Sequence, residues 1–347
     1  MEKMKNDIPI EELAGALEVS KSGFHAHLAK AQRPRRRRDQ ILRPLIRKSF
    51  RESRSTYGCP RIRLDLREAG ERCGKNRIIR LMREVGLRPK QKRRFRPRTT
   101  DSRHDHRIAP NWLAQVPTPD RPGQIWQSDI TYIETAEGWL FLAFTLDACS
   151  RRCVAHHCRE DLGAELTVNT FRRAVTSERW LHPGLIHHSD RGSQYAAEVF
   201  ARCLAARGVV ASMSRRGNPY DNALAESFVA TLKTECFGDG IPPTRAAARL
   251  MIFDYIETFY NTRRRHSAIG YRSPAQFENT LANTVREGCS GGGSKGGETC
   301  PTQQVGSSRF YCEQLRGQRR GVVQATGNNP VVLTQDFTTL TKTTNLN

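Results

Sequence analysis

Trp126-Gln127-Ser128-Asp129-Ile130-Thr131-Tyr132-Ile133 alternates polar with β-branched and aromatic residues, the period-two pattern of a strand with one buried face. Asp129 stands in the middle of it. A carboxylate inside a sheet is costly unless something neutralises it. The stretch therefore predicts a strand over residues 125–134 and a functional group upon it.

Working outward, Glu137-Gly138 offers a turn, residues 139–146 form a dense apolar strand, and residues 152–158 form a third. Residues 163–179 have the spacing of an amphipathic helix, with Leu166, Thr170 and Ala174 on one face. A short strand over 185–189, a helix over 198–207, a strand over 209–213 and a helix over 219–236 follow. The order β-β-β-α-β-α-β-α is three meander strands and then alternation. It predicts an α/β fold of the RNase H-like type, a mixed five-stranded sheet flanked by helices, over residues 123–240. A further helix over 244–260, carrying Leu250, Phe253, Ile256 and Tyr260, opens a helical extension over 241–286.

Two more carboxylates belong with Asp129. Asp190 ends the fourth strand in His187-His188-Ser189-Asp190-Arg191-Gly192-Ser193-Gln194-Tyr195, and Glu226 lies on the last core helix. There Asn222, Glu226 and Lys233 share a face at offsets of four and seven, while Leu224, Phe228 and Leu232 form another that can pack on the sheet. Singly, each acid has an ordinary reading, as a strand-edge Asp, a turn former and a solvent-facing Glu. One on each of three suitable elements points instead to a common edge, where converging carboxylate oxygens suit hard divalent cations and phosphoryl transfer. Lys233 is placed to hold a phosphate. Asp147, at the end of the second strand before Ser150-Arg151-Arg152, reads as a turn residue. Cys149, Cys153, His156, His157 and Cys158 lie on one strand, where Cys153 and His156 point to opposite faces, so a zinc site is not expected from them. The ten cysteines follow no framework spacing and read as free thiols.

The net charge is +22 over 347 residues, and it is uneven. Residues 1–107 hold 31 Lys and Arg against 13 Asp and Glu, so a polyanion-gripping half precedes a near-neutral one. Residues 1–32 read as a helix-turn-helix. Leu13, Ala14 and Leu17 share a face, Val19-Ser20 make the turn, and a second helix capped by Ser20 or Ser22 carries Phe24 and Leu28. Arg33 to Arg38 read as a basic linker opening a second helical module over 33–88. Its helices are expected over 39–51, 61–68 and 76–85, with Ile62, Leu66, Ile79, Met82 and Val85 facing inward. Residues 89–122 are Pro- and Arg-rich and read as a linker able to track a phosphate backbone. The candidate DNA contacts are Lys21, Arg35, Arg36, Arg37, Arg38, Arg61, Arg77, Arg80, Asn222, Lys233, Arg264 and His266. No apolar run approaches a membrane span, and the N-terminus lacks the apolar core of a signal peptide. A soluble intracellular protein without a membrane partner is expected. Beyond residue 287 the Gly-rich and then Thr/Asn-rich composition predicts a disordered tail.

The motifs together resemble the DDE transposases with a retroviral-integrase-like core, most closely the second-frame product of the IS-three insertion-sequence family. The Asp129 and Asp190 blocks resemble that family's two Asp blocks. Asn218-Pro219-Tyr220-Asp221-Asn222-Ala223, followed by Glu226-Ser227-Phe228, resembles its Glu helix, and thirty-five residues separate Asp190 from Glu226. Tyr260-Asn261, Arg264, His266-Ser267 and Tyr271-Arg272-Ser273-Pro274 resemble its C-terminal block. Val19-Ser20-Lys21-Ser22-Gly23-Phe24 and Tyr57-Gly58-Cys59-Pro60-Arg61-Ile62 resemble its N-terminal region. The resemblance spans about residues 13–278. It implies Mg²⁺-dependent cutting at element ends and strand transfer into target DNA. Two Mg²⁺ ions, with Mn²⁺ as a substitute, would be held by Asp129 on both and by Asp190 and Glu226 on one each. It also implies DNA ends and target as partners, a homo-oligomer, a first-frame partner protein or frameshift fusion, and a place in the bacterial cytoplasm at the nucleoid. The competing expectation is a DNA-binding protein derived from a transposase and without catalysis. The tail past residue 287 departs from the family pattern and reads as fused or read-through sequence without a function.

Overall fold

In a computed structural model, residues 9–16, 18–23, 25–26, 34–90, 107–177, 182–215 and 218–290 are described. Five strands form one sheet, ordered β3-β2-β1-β4-β5. β1 (Ile125–Thr135) pairs antiparallel with β2 (Gly138–Asp147), and β2 pairs antiparallel with β3 (Cys153–Arg159). On the other side, β4 (Ile186–Ser189) runs parallel to β1, and β5 (Val210–Met213) runs parallel to β4. The three meander strands need only tight turns. The parallel pairs need crossovers, and helices supply them.

Helix α1 (Ile10–Ala16) precedes a turn in which Ser20 Oγ accepts a hydrogen bond from Gly23 N at 3.0 Å, so Ser20 caps the next helical segment as its position predicts. Phe24 and Leu28 lie outside the described residues. Helices α2 (Pro34–Glu52), α3 (Cys59–Glu68) and α4 (Lys75–Glu84) make the second helical module. The expectation of a linker over 33–38 is corrected, because the backbone is helical from Pro34 onward. Proline is well suited to a first helical turn, where its missing N–H costs nothing, and arginine propagates a helix well. Leu42, Ile46, Ile62, Leu66, Ile78, Leu81 and Met82 fill the interior of this module.

The helices that accompany the sheet are α5 (Ala164–Ser177), α6 (Ser193–Ala196), α7 (Glu198–Ala205) and α8 (Ala223–Leu232). Period-two alternation along β1 divides them between two layers. Trp126 meets Phe171 of α5 edge to face, with centroids 6.5 Å apart. On the opposite face Phe144 of β2 stacks on Phe228 of α8 at 4.6 Å. The 219–236 stretch is helical throughout but in three forms: a 3₁₀ turn at Pro219–Asn222, then α8, then a π segment at Lys233–Phe237. Helix α9 (Arg245–Phe253) likewise passes into a π segment, Asp254–Tyr260. Leu250 is 70 % and Phe253 56 % exposed, so the stripe expected to bury them is broken. Ala248 and Ile252 pack inward instead, and the wider i→i+5 turn then buries Tyr255, Ile256, Phe259 and Tyr260. Helix α10 (Pro274–Ser290) closes the described chain.

The apolar cluster of the helical module continues into the cluster over α8 and α9. Polar bonds reinforce this junction. Arg265 N donates to Tyr57 Oη at 2.8 Å, Tyr57 Oη donates to Arg263 O at 3.1 Å, and Arg54 pairs with Asp254 at 2.6 Å. At its centre Glu235 accepts two bonds from Arg264, each 2.8 Å, and one from the Tyr255 hydroxyl at 2.8 Å. Arg61 lies 4.0 Å away. Removing one partner of such a buried pair leaves the other charge uncompensated, at a cost of about 3–5 kcal/mol. Glu235→Gln is therefore expected to lower the urea midpoint by an amount corresponding to about 3 kcal/mol or more. A variant as stable as the wild type would contradict this account of the junction.

Candidate active site

The register of the sheet brings the two aspartates together. Gln127 of β1 pairs with His188 of the parallel strand β4. Two residues further on come Asp129, within β1, and Asp190, one residue past the end of β4, and the charge of Asp190 acts on Asp129. The face on which Asp129 lies is identified by its other neighbour, since Asp129 pairs across β2 with Phe144, the residue that stacks on α8. Ala225, Phe228 and Leu232 bury one side of α8 against the sheet. Asn222 and Glu226, four residues apart, follow each other along the helix beside that buried side.

Electrostatics report the same convergence. Asp129 is half-buried, and its carboxyl is pushed well above the usual carboxylate range. Burial is the main cause, and the charge of Asp190 and then that of Glu226 act in the same direction. A bond from Ile130 N at 2.9 Å and a side-chain bond from Asn222 act against the rise. The Tyr195 phenol is raised by burial and by the fields of Asp129 and Asp190. Asp190 accepts from Gly192 N at 3.0 Å, and a Cβ at Gly192 would come within 3.1 Å of Asp190 Oδ1. Glycine therefore keeps the turn tight against the carboxylate.

Among the described residues no three Asp, Glu, His or Cys side chains stand ready-assembled as a metal cage. The donor set nevertheless fits a divalent cation. The charges of Asp190 and of the exposed Glu226 both act on the half-buried Asp129, and Asn222 Oδ1 is buried with no hydrogen-bond partner among the described residues. Hard oxygen donors of this kind suit Mg²⁺.

The expected DNA contacts are placed very differently from one another. Asn222 lies inside the site, donating to Asp129. Lys233 is half-buried at the end of α8 and makes no ion pair among the described residues, and burial alone lowers its pKa. Arg264 and His266 are corrected to interior residues, 7 % and 8 % exposed. Arg264 is committed to Glu235, and burial with the nearby arginines lowers His266 to about 3. Arg77 and Arg80 both bind Asp39 at 2.7 Å, and Arg80 also binds Glu84. Arg38 binds Glu71 at 2.7 Å, Lys21 pairs with Glu11, and Arg37 is exposed. The side chains of Arg35 and Arg36 lie outside the described residues. Asp147 is the turn residue its position suggests. It accepts from Gly123 N, Cys149 N and Ser150 N at 2.7–3.0 Å.

Three residues of consequence were not singled out from the sequence: Asn111, Arg215 and Asp221. Residues 107–115 belong to the expected linker, yet they lie against the core. Met213 N donates to Pro110 O at 3.3 Å, and Trp112 N donates to Ser212 Oγ at 3.0 Å. Residues 91–106 lie outside the described residues.

A five-stranded mixed sheet with one acid within β1 and another just past the end of the neighbouring parallel strand β4, behind a helical module, defines an integrase-core protein with an attached DNA-binding-type domain. The integrase core domain model matches residues 119–219, a second integrase core domain model matches 207–274, and the HTH-like domain model matches 36–95. The last falls on α2–α4 and not on residues 1–32. The chain is 42 % identical over 259 residues to the uncharacterized 31 kDa protein of insertion element IS600 from Shigella sonnei, covering 75 % of this chain and 94 % of that protein. It is 34 % identical over 281 residues to transposase InsF for insertion sequence IS3A from Escherichia coli K12, covering 80 % and 97 %. A simian T-cell lymphotropic virus intasome in complex with PP2A regulatory subunit B56 gamma includes a chain with TM-score 0.39 and 16 % identity, covering 62 % of this chain and 70 % of that one. The chain belongs to the IS3/IS600 family of insertion-sequence transposases, and its catalytic-type core is RNase H-like.

The raised pKa of Asp129 gives a stability prediction. Folding makes this carboxyl hold its proton to higher pH than the unfolded chain does, so its contribution is present at low pH and lost as pH rises through the folded pKa. Asp129→Asn, which removes the ionised form, is expected to raise the melting temperature of the metal-free protein at pH 7.5 by a few degrees, or about 1 kcal/mol. It is expected to have little effect at pH 4. The same variant is expected to lose the upward shift that Mg²⁺ gives the wild type. Differential scanning fluorimetry at both pH values, with and without Mg²⁺, measures all three.

Proposed function

We propose that the chain cuts DNA at the ends of its insertion element and joins the freed ends to target DNA, with Asp129, Asp190 and Glu226 as the catalytic carboxylates. The observation that carries this reading is the strand register that sets Asp129 beside Asp190, on the face covered by the helix of Glu226. Bound there, Mg²⁺ ions would lower the charge at the phosphate and make a water or hydroxyl oxygen a better nucleophile. Asp129, Asp190 and Glu226 are the residues to hold them, and Mn²⁺ suits the same oxygens.

The residues perform separate tasks. Asn222 keeps Asp129 oriented toward the helix, and Gly192 N keeps Asp190 at the strand end. Lys233, without an acidic partner among the described residues, faces a phosphate. In the cutting step an oxygen of water attacks phosphorus and a 3′-hydroxyl leaves. In the joining step that 3′-hydroxyl attacks a second phosphodiester. One P–O bond forms as one breaks, so joining needs no external energy source.

Arg63 and Arg67, four residues apart on α3, are among the cations free to grip phosphates. Both are exposed and form no ion pair among the described residues. Paired ends require more than one copy of the chain, so the working form is a homo-oligomer on DNA. A first-frame partner or fusion would add end-binding helices.

Two outcomes test the reading. Glu226→Gln is expected to abolish Mg²⁺-dependent cleavage of a labelled terminal-repeat duplex while leaving its binding within about two-fold. Equal cleavage by both proteins would end the proposal, and binding by a wild type that never cuts would favour a non-catalytic DNA-binding protein. Replacing Arg63 and Arg67 by Glu is expected to weaken binding to all sequences and to flatten the plot of log affinity against log salt by about two units. An unchanged salt slope would place the DNA on another face.

A further inference from the structure

Asn222 is the N-cap of α8, a position where an Asn side chain normally accepts a bond from the first helical turn. Here it forms no such bond. The start of the helix that carries Glu226 must therefore be held by something else. The neighbouring Asp221, buried within the 3₁₀ turn, is held from several directions at once. Its Oδ2 accepts from Asn111 Nδ2 at 2.8 Å, from Arg215 N at 2.8 Å and from Arg215 Nε at 3.0 Å. Its Oδ1 accepts from Arg215 Nη2 at 3.0 Å.

We propose that Asp221, gripped by Asn111 and Arg215, is a positioning residue that fixes Asn222 and Glu226 against Asp129 and Asp190. With four donors on its oxygens, Asp221 is a clamp point and not a fourth metal ligand. Its anchors reach both neighbours of the site. Asn111 belongs to the strap laid over β5, which follows the basic linker. Arg215 follows Ser214, whose amide donates to Ser189 O at 2.9 Å, one residue before Asp190. Ser212, which receives the strap through Trp112 N, and Ser214 also hold the two ring nitrogens of His188 at 2.9 and 3.0 Å. The clamp thus ties the strap, the end of β4 and the start of α8 into one unit.

The catalytic consequence rests on the reading given under Proposed function, but the clamp does not, and two readouts separate them. The first is hydrogen exchange of the metal-free full chain. Asn111→Ala is expected to speed exchange of amides 221–226 about ten-fold and to leave those of β1 and α3 unchanged. The second is single-turnover end cleavage. Asn111→Ala is expected to slow it 10- to 100-fold with DNA affinity within two-fold. Asn111→Ala combined with Asp221→Asn is expected to be no slower than Asp221→Asn alone. Arg215→Lys, which keeps the charge but not the forked bond, supplies the same two readouts if Asn111→Ala does not fold, with a smaller effect expected. Unchanged exchange at 221–226 overturns the clamp, as do cleavage rates that multiply independently. A wild type that cuts no DNA overturns the parent reading, while the exchange result still decides the clamp.

Discussion

Asp129 and Asp190 come near each other because β1 and β4 run parallel in one register, and the charge of Asp190 acts on Asp129. The rest of the core is organised around tolerating this. Phe144, Phe228 and Leu232 supply the apolar contact that presses α8 onto the sheet despite the charge it brings. Asn222 donates to Asp129, and Gly192 lets the backbone close upon Asp190. The opposite face of the sheet has its own polar interior. There Ser128 Oγ bonds Thr145 Oγ1 and His187 Nε2, each at 2.8 Å, and the ring of His187, which burial lowers to about 3, packs against Phe171 and Phe200. The strand that carries Asp129 is thus fixed from behind.

A raised carboxyl is a stored cost, and it has a direction. Without a cation, burial and the neighbouring charges hold the Asp129 carboxyl well above its ordinary range. A cation bound there would draw the same carboxylates toward one positive charge. The helical module is bound to this unit and not hung from it. Tyr57, Arg54 and Arg265 join it to the segment after α9, and Glu235 gathers Arg264 and Tyr255 between them.

Local signals made the order of elements along the chain, and the elements that carry the three acids, readable. Alternation marks β1, a buried-strand run marks β2, and Asp190 and Glu226 sit where short elements end or begin. Long-range pairings were not readable. Arg264 and His266 have the composition of DNA-contacting residues, and only the fold shows that Glu235 claims the arginine. Arg77 and Arg80 look like free cations until Asp39 is placed between them. Leu250 and Phe253 look like core residues under a constant 3.6-residue period, and a π segment beginning at Asp254 breaks that period. Asp221 looks like a turn residue because its partner Asn111 is 110 positions away.

The central claim is that Asp129, Asp190 and Glu226 hold divalent cations together. Anomalous diffraction from crystals of the full chain soaked in Mn²⁺ tests it most directly. The account predicts anomalous density among these three carboxylates, lost in Asp129→Asn. Manganese bound only elsewhere, or density at the site that survives Asp129→Asn unchanged, would contradict it.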